Sequence, residues 1–141
     1  QLLPAVGQGV LAATCREEDL RANAYIAALG HPPTTAAVLA ERAMLAVLDG
    51  SCQTPIAGWA QLDGTGKLTL QGIIARPDGA EKAHVTMSGL ASEAELLGTQ
   101  VAERLVLEAG PSILDAIKSS GPDIILPHPE MEQAPPDAGD E

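Results

Sequence analysis

Hydrophobic residues change their spacing twice along this chain. They first recur every three to four positions, which predicts helices over residues 17–30 and 34–49, the second beginning after the His-Pro-Pro that ends the first. Over residues 53–90 the spacing falls to two, which predicts three short strands separated by the turn-rich segments DGTG and RPDGAE. Helical spacing returns over residues 92–109, and a shorter helix is expected after the Gly-Pro pair that follows.

The predicted strands have one apolar and one polar face. Leu68, Leu70 and Ile74 alternate to one face of the second strand, and Val85 and Met87 do the same in the third. The opposite face is polar and contains Lys67, Thr69, Gln71, His84 and Thr86. This alternation is typical of an antiparallel meander with one buried face, and we expect helices to cover that face.

The pattern divides the chain into three parts. Residues 31–120 predict one compact α+β domain, a small three-stranded antiparallel sheet covered by helices on one face. Residues 1–30 contain VLAATC, a run typical of a strand buried on both faces, followed by a helix. Because no neighbouring segment offers this strand a partner, we expect it to belong to a sheet that is missing here. Residues 121–141 are rich in proline and acids, which predicts a disordered acidic tail.

Composition narrows the possible partners. The chain has no Phe, one Trp and one Tyr, so its core must be aliphatic, and it lacks the aromatic platform that binds single-stranded nucleic acid. A net charge of −11 without a basic patch argues against nucleic acid and anionic membranes, and no apolar run is long enough to span a bilayer. The two widely spaced cysteines, Cys15 and Cys52, make no disulfide framework and no CxxC pair, which predicts a reduced, cytoplasmic setting.

Cys52 is the first candidate for chemistry, because it ends a Gly-Ser-Cys turn between a predicted helix and a predicted strand. The commonest role of a free cysteine is that of a small buried core residue. A metal site is disfavoured because no second Cys or His lies at ligand spacing. A reactive nucleophile is disfavoured because the negative end of the preceding helix dipole opposes a thiolate. Two roles stay open: a core residue, and a loop thiol presented for covalent attachment.

The segment LPAVGQG and the pair Glu41 and Arg42 are further candidates. Gly7 and Gly9, on either side of Gln8, would allow the backbone to approach another group closely, or would form a hinge turn. They do not make a phosphate loop, since no longer glycine-rich phosphate motif follows. Glu41 and Arg42 are adjacent on a helix and cannot face each other, so we expect them on a solvated or interdomain face.

These motifs together resemble one enzyme family. LPAVGQG, then CR, a helix, AERAML and LDGSCQTPIAGWA are similar to the C-terminal half of hydroxymethylbilane synthases, also called porphobilinogen deaminases, over about residues 2–120. The resemblance implies an enzyme that joins four porphobilinogen molecules into the linear tetrapyrrole hydroxymethylbilane and releases ammonia at each step. It also implies that Cys52 carries a dipyrromethane cofactor through a thioether bond, and that Gln8 and Gly9 lie near the cofactor and substrate pocket.

The resemblance implies a larger fold as well. Family members have two domains like periplasmic binding proteins, with the active cleft between them, and a small third domain from which the cofactor loop projects. Residues 1–30 would then be the end of those domains, with a hinge and a return strand in which Cys15 is buried. The family's catalytic aspartate and the basic residues that hold the substrate lie upstream. We therefore expect no catalytic residue here, no activity of this chain alone, and a monomeric full-length enzyme.

One departure and one alternative remain. Ser51 stands where the family more often has glycine, which matters if that position needs a positive φ. The alternative is a non-catalytic α+β interaction module in which Cys52 is a structural core residue.

Overall fold

The structure, a computed structural model, describes residues 3–48 and 55–119. The elements in chain order are α1 (Leu20–Ala28), α2 (Pro32–Val47), β1 (Ile56–Leu62), β2 (Lys67–Ala75), β3 (Lys82–Leu90), a 3-10 turn (Ala91–Glu93) and α3 (Ala94–Ser119). The predictions made for Ser51, Cys52 and the acidic tail of residues 121–141 lie outside the described residues.

The three strands form an antiparallel sheet in the order β1-β2-β3. Their register aligns Gly58 of β1 with Gly72 of β2, and Gly72 with Val85 of β3. The alternation predicted for β2 is confirmed, since Leu68 and Leu70 are fully buried while the polar positions between the apolar ones are more exposed. The alternation of apolar and polar residues in the sequence was therefore enough to predict the antiparallel meander.

Helix α2, which precedes the sheet in the chain, and helix α3, which follows it, cover the same face of the sheet. The core contains Met44 of α2, Leu68 and Leu70 of β2, and Val101 and Leu105 of α3, all of them fully buried. These side chains are aliphatic or thioether, as the scarcity of aromatic residues requires. The predicted α+β fold, with a helix-covered sheet face, is confirmed.

Close contact between α2 and α3 depends on one glycine. A Cβ atom added at Gly98 would clash with the carbonyl oxygen of Ala40 and would lie 2.8 Å from the Cβ of Ala43. Neither neighbour is the flexible end of a long side chain, so the helices would have to move apart. Gly98 thus lets the backbones of the two helices approach closely.

The bounds of α1 and α2 are shifted by a few residues from prediction, whereas the break near the end of α3 is where it was expected. Helix α2 begins at Pro32 with His31 as its N-cap, two residues earlier than expected. Proline is tolerated in the first turn because the amide it lacks has no partner inside the helix there. At Gly110 the backbone leaves the helical conformation (φ 63°, ψ 179°) before Pro111, which confirms a long helix followed by a short one.

A hydrogen-bonded turn joins β1 to β2. The carboxylate of Asp63 accepts hydrogen bonds from the Thr65 hydroxyl at 2.6 Å, the Thr65 amide at 2.8 Å and the Lys67 amide at 3.0 Å. These bonds favour the charged carboxylate, the Thr65 hydroxyl first, and they lower the pKa of Asp63. The turn is the DGTG segment that the sequence marks.

The segment before α1 is exposed. Residues 10–16 form no strand, and Cys15 is exposed rather than buried, with its thiol donating to Oδ1 of Asn23 at 3.2 Å. A strand needs a partner for its backbone groups, and the described residues offer none to this segment. The strand predicted over VLAATC needs a partner from another sheet, so that strand and its assignment to another domain stay predictions. Within the described parts, no helix is long and apolar enough to cross a bilayer.

Candidate functional site

Two segments singled out by the sequence adjoin strand β1: one lies along it, and the other precedes it in the chain. We call residues 3–9, from the LPAVGQG motif, the hinge segment, and residues 49–54, which include Cys52, the Cys52 loop. The loop lies outside the described residues, but the structure describes both of its ends. Leu48 and Ile56 pack against the core, and the carbonyl of Pro55 accepts a hydrogen bond from the amide of Ala75 at 3.0 Å. The loop therefore connects two fixed points.

The hinge segment lies along β1, an edge strand of the described sheet. The amide of Gly58 donates to the carbonyl of Pro4 at 3.1 Å, and Val6 packs against the core. A Cβ atom at Gly58 would lie 3.2 Å from Cγ2 of Val6 and 2.5 Å from Cε of Met44. A larger residue at position 58 would therefore push against both the hinge segment and α2.

The hinge segment then turns sharply. The amide of Gln8 donates to the carbonyl of Ala5 at 3.2 Å, and Gly7 and Gly9 have φ angles of 72° and 80°. These angles lie in the left-handed region, which glycine adopts without steric cost. The turn that the two glycines indicate is thus present. Gln8 and Gly9 are exposed, and their predicted role beside a cofactor stays a prediction.

Glu41 links the hinge segment to the core. Its side chain is only 7% exposed, and Oε2 accepts a hydrogen bond from the amide of Gly7 at 2.8 Å. The other oxygen, Oε1, accepts one from the amide of Ala60 in β1, also at 2.8 Å. A solvated face for Glu41 is therefore wrong; its side chain lies between α2, β1 and the hinge segment, which the prediction assigned to another domain. Burial is possible because both carboxylate oxygens have a donor.

The sequence held a signal for this burial. Ala37, Glu41, Met44 and Leu48 follow one another at spacings of four, three and four, so they share one face of α2. Met44 is fully buried, and Ala37 and Leu48 pack against the core. An acidic residue within such an apolar stripe indicates a buried, hydrogen-bonded carboxylate. The sequence presents Glu41 and its neighbour Arg42 as one charged pair, which conceals that Glu41 alone lies on the apolar face.

Arg42 is exposed, as expected, and faces an open groove. The groove has a volume of about 660 Å³ and lies between α1, α2 and the segment that precedes α1. Its lining is mostly apolar and includes Val10, Leu11, Ile26, Val38 and Leu39. Arg42 makes no ion pair with any residue that the structure describes. In the same described part of the chain, His, Cys, Asp and Glu form no cluster suited to a metal ion.

Comparison with known proteins identifies the family. The family model described as "Porphobilinogen deaminase, C-terminal domain" matches residues 35–106, which begin in α2, include the whole sheet and end in α3. The chain belongs to the porphobilinogen deaminase family. The matched span contains both Glu41 and the Cys52 loop, and the hinge segment precedes it.

Two curated porphobilinogen deaminases illustrate the relationship. The protein of Gloeobacter violaceus is 47% identical over 115 residues, which cover 82% of this chain and 35% of the relative. The protein of Nitrobacter winogradskyi is 44% identical over 110 residues, which cover 78% of this chain and 34% of the relative. The chain thus spans about one third of the length of these porphobilinogen deaminases.

Proposed function

We propose that this chain is the C-terminal, cofactor-carrying part of a hydroxymethylbilane synthase. That enzyme condenses four porphobilinogen molecules into hydroxymethylbilane, in the pathway to porphyrins. The observation that supports the proposal most strongly is the family match over residues 35–106, which includes a cysteine in the connection between α2 and β1. We further propose that this cysteine, Cys52, holds the dipyrromethane cofactor through a thioether bond.

The two thiols of the chain are not equivalent as attachment points. Cys15 lies outside the family match, on a segment that packs into no sheet, and its thiol is hydrogen bonded to Asn23. Cys52 belongs to a short loop whose ends, Leu48 and Ile56, are held by the core. A thioether fits the surroundings of Cys52, because the bond forms once and needs a loop held at both ends rather than an activated thiolate. When bound, the dipyrromethane supplies the free pyrrole carbon to which the first substrate is joined.

Each condensation is balanced without any further reagent, and only the release of the finished tetrapyrrole consumes a water, which supplies its terminal hydroxyl group. The bond between the aminomethyl carbon and nitrogen of porphobilinogen breaks, a carbon–carbon bond to the preceding pyrrole forms, and one pyrrole proton is lost. The amino group leaves with that proton as ammonia. In this scheme the chain holds the Cys52 loop in place, and Gln8 and Gly9 bring a side-chain amide and an exposed peptide towards the same pocket.

The charge of the chain limits what it can do alone. Porphobilinogen carries carboxylate groups, and several such groups in a growing chain call for clustered Arg and Lys. This chain has 8 basic and 19 acidic residues. We therefore propose that the remainder of the enzyme binds the substrate carboxylates and supplies the catalytic acid. Residues 1–141 alone are then inactive.

Intact-mass measurement of the full-length enzyme containing this chain tests the proposal. We expect a mass above that of the polypeptide by one dipyrromethane, which Cys52→Ala abolishes together with activity. Cys15→Ala is the matched control, and we expect it to keep both. The alternative of a non-catalytic interaction module predicts an unmodified Cys52, so a purified full-length protein with the bare polypeptide mass, or an active Cys52→Ala variant, would exclude our assignment.

A further inference from the structure

Glu41 is the one charged side chain found buried among those that the structure describes. A buried carboxylate loses its hydration and is retained only where hydrogen bonds replace it. Here each oxygen accepts one backbone amide at 2.8 Å, from Gly7 and from Ala60. Charge-assisted bonds of this kind are shorter and stronger than bonds between neutral groups.

The two amides belong to different parts of the proposed cofactor site. Gly7 lies in the hinge segment, next to Gln8 and Gly9, and is 34 residues from Glu41 in sequence. Ala60 lies in β1, and Glu41 itself lies in α2. Helix α2 precedes the Cys52 loop in the chain, and strand β1 follows it. The Glu41 side chain therefore joins the hinge segment to both elements that flank that loop.

We propose that Glu41 is a positioning residue, which fixes the hinge segment relative to the elements that hold the Cys52 loop. The proposal rests on the function proposed above, because that function assigns the cofactor to the Cys52 loop. The two hydrogen bonds of Glu41, to Gly7 and Ala60, are contacts between described residues. It predicts that loss of the carboxylate displaces Gln8 and Gly9 relative to Leu48 and Ile56, the core residues on either side of the Cys52 loop.

The hinge segment has two further attachments, which limit the effect of losing Glu41. Gly58 donates to Pro4, and Val6 packs against the core, so the segment stays on β1 when the carboxylate is removed. What is lost is the contact at Gly7, immediately before Gln8. We expect a local loosening at that turn rather than unfolding of the domain.

Glu41→Gln is the sharpest variant, because glutamine has the same shape but only one acceptor oxygen. Its NH₂ group would meet one of the two backbone N–H groups as a second donor. Either Gly7 or Ala60 must then lose its hydrogen bond. Glu41→Asp keeps the charge but is one methylene shorter, so it can reach one amide and not both, and it serves if the glutamine variant accumulates poorly.

The experiment uses the full-length enzyme and two controls. Glu103→Gln removes an exposed carboxylate from α3 and matches the change of charge. Val101→Ala opens a cavity in the core on α3, far in sequence from the hinge segment, and matches the loss of stability. Three quantities are measured for each variant: amide hydrogen exchange at Gly7 and Ala60, steady-state kcat and KM, and intact mass.

We expect exchange at Gly7 or Ala60 to rise in both Glu41 variants more than at other core amides. Exchange at Gly7 and Ala60 should be unchanged in Glu103→Gln, and in Val101→Ala it should rise no more than at other core amides. A reacting group displaced by about 1 Å slows an enzyme by up to roughly 100-fold, so kcat of Glu41→Gln should fall about 10- to 100-fold. KM should change little, because the groups that bind the substrate carboxylates lie outside this chain. Val101→Ala should lower the melting temperature and leave kcat near that of the wild type.

Unchanged exchange at both amides, or a kcat within twofold of wild type, would overturn the positioning role. An equal loss of kcat in Val101→Ala would reduce Glu41 to a structural residue and would also overturn it. Failure of the proposed function looks different: the wild-type protein then lacks the cofactor mass, whatever the exchange at Gly7 and Ala60 shows.

Discussion

The two regions of the described chain differ in how completely they bury their apolar side chains. In the sheet and its two helices, Leu68, Leu70 and Leu105 are fully buried. In residues 10–30, helix α1 has no buried residue, and Leu20 and Leu29 are 82% and 80% exposed. The first region completes a core from its own residues, and the second carries apolar residues that nothing in the described chain covers.

The boundary between the regions falls within the LPAVGQG motif. Up to Gly7 the chain is fastened to β1 and α2, through Pro4, Val6 and Glu41. Beyond Gly9 it leaves the core and becomes exposed. The expectation was that residues 1–30 belong with other domains of the full-length enzyme. In this structure Pro4 and Gly7 are instead held by the C-terminal α+β domain, and the assignment of the rest stays a prediction.

The largest expected difference between the regions comes from truncating one leucine in each. Leu105→Ala should lower the free energy of unfolding by about 2–5 kcal/mol, because it leaves a cavity in a core that cannot fully collapse. Leu20→Ala should change it by less than about 0.5 kcal/mol, since the side chain is already exposed. Urea unfolding of the chain measures both. Equal losses in the two variants would show that α1 is packed in solution and would remove the distinction.

A smaller effect is expected where α2 meets α3. Gly98→Ala forces a methyl group against Ala40 and Ala43 and should cost about 1–3 kcal/mol of unfolding free energy through overpacking. Gly64→Ala in the turn between β1 and β2 is the control, because no atom lies within 4 Å of the added carbon. It should be neutral to within about 0.5 kcal/mol. A stable Gly98→Ala variant would mean that the helices separate more easily than the contact distances indicate.

What the sequence could predict follows the same division. The strands and both parts of α3 were predictable because each buries a periodic apolar face within the chain itself. The strand expected at VLAATC and the burial expected for Cys15 depend on a partner that the described residues do not contain, so both stay predictions for the full-length enzyme. Glu41 was missed for another reason: its two donors, Gly7 and Ala60, are brought to it by tertiary contacts that periodicity does not reveal.

The smallest expected effect is electrostatic and compares one acid from each region. The pKa of Asp63 lies below its ordinary value of 3.8, chiefly because the Thr65 hydroxyl donates to the carboxylate, and then because of the amides of Lys67 and Thr65. A carboxyl group whose pKa is lowered by folding stabilises the folded protein at pH values above its ordinary pKa. This contribution is lost as the pH falls through the lowered pKa. Asp63→Asn should therefore reduce the pH dependence of unfolding below about pH 4 and leave the rest unchanged. Glu17→Gln, which removes the same charge from the exposed region, is the control, and urea titrations at several pH values measure both. An equal change in slope for the two variants would assign the effect to net charge rather than to the hydrogen bonds of the turn.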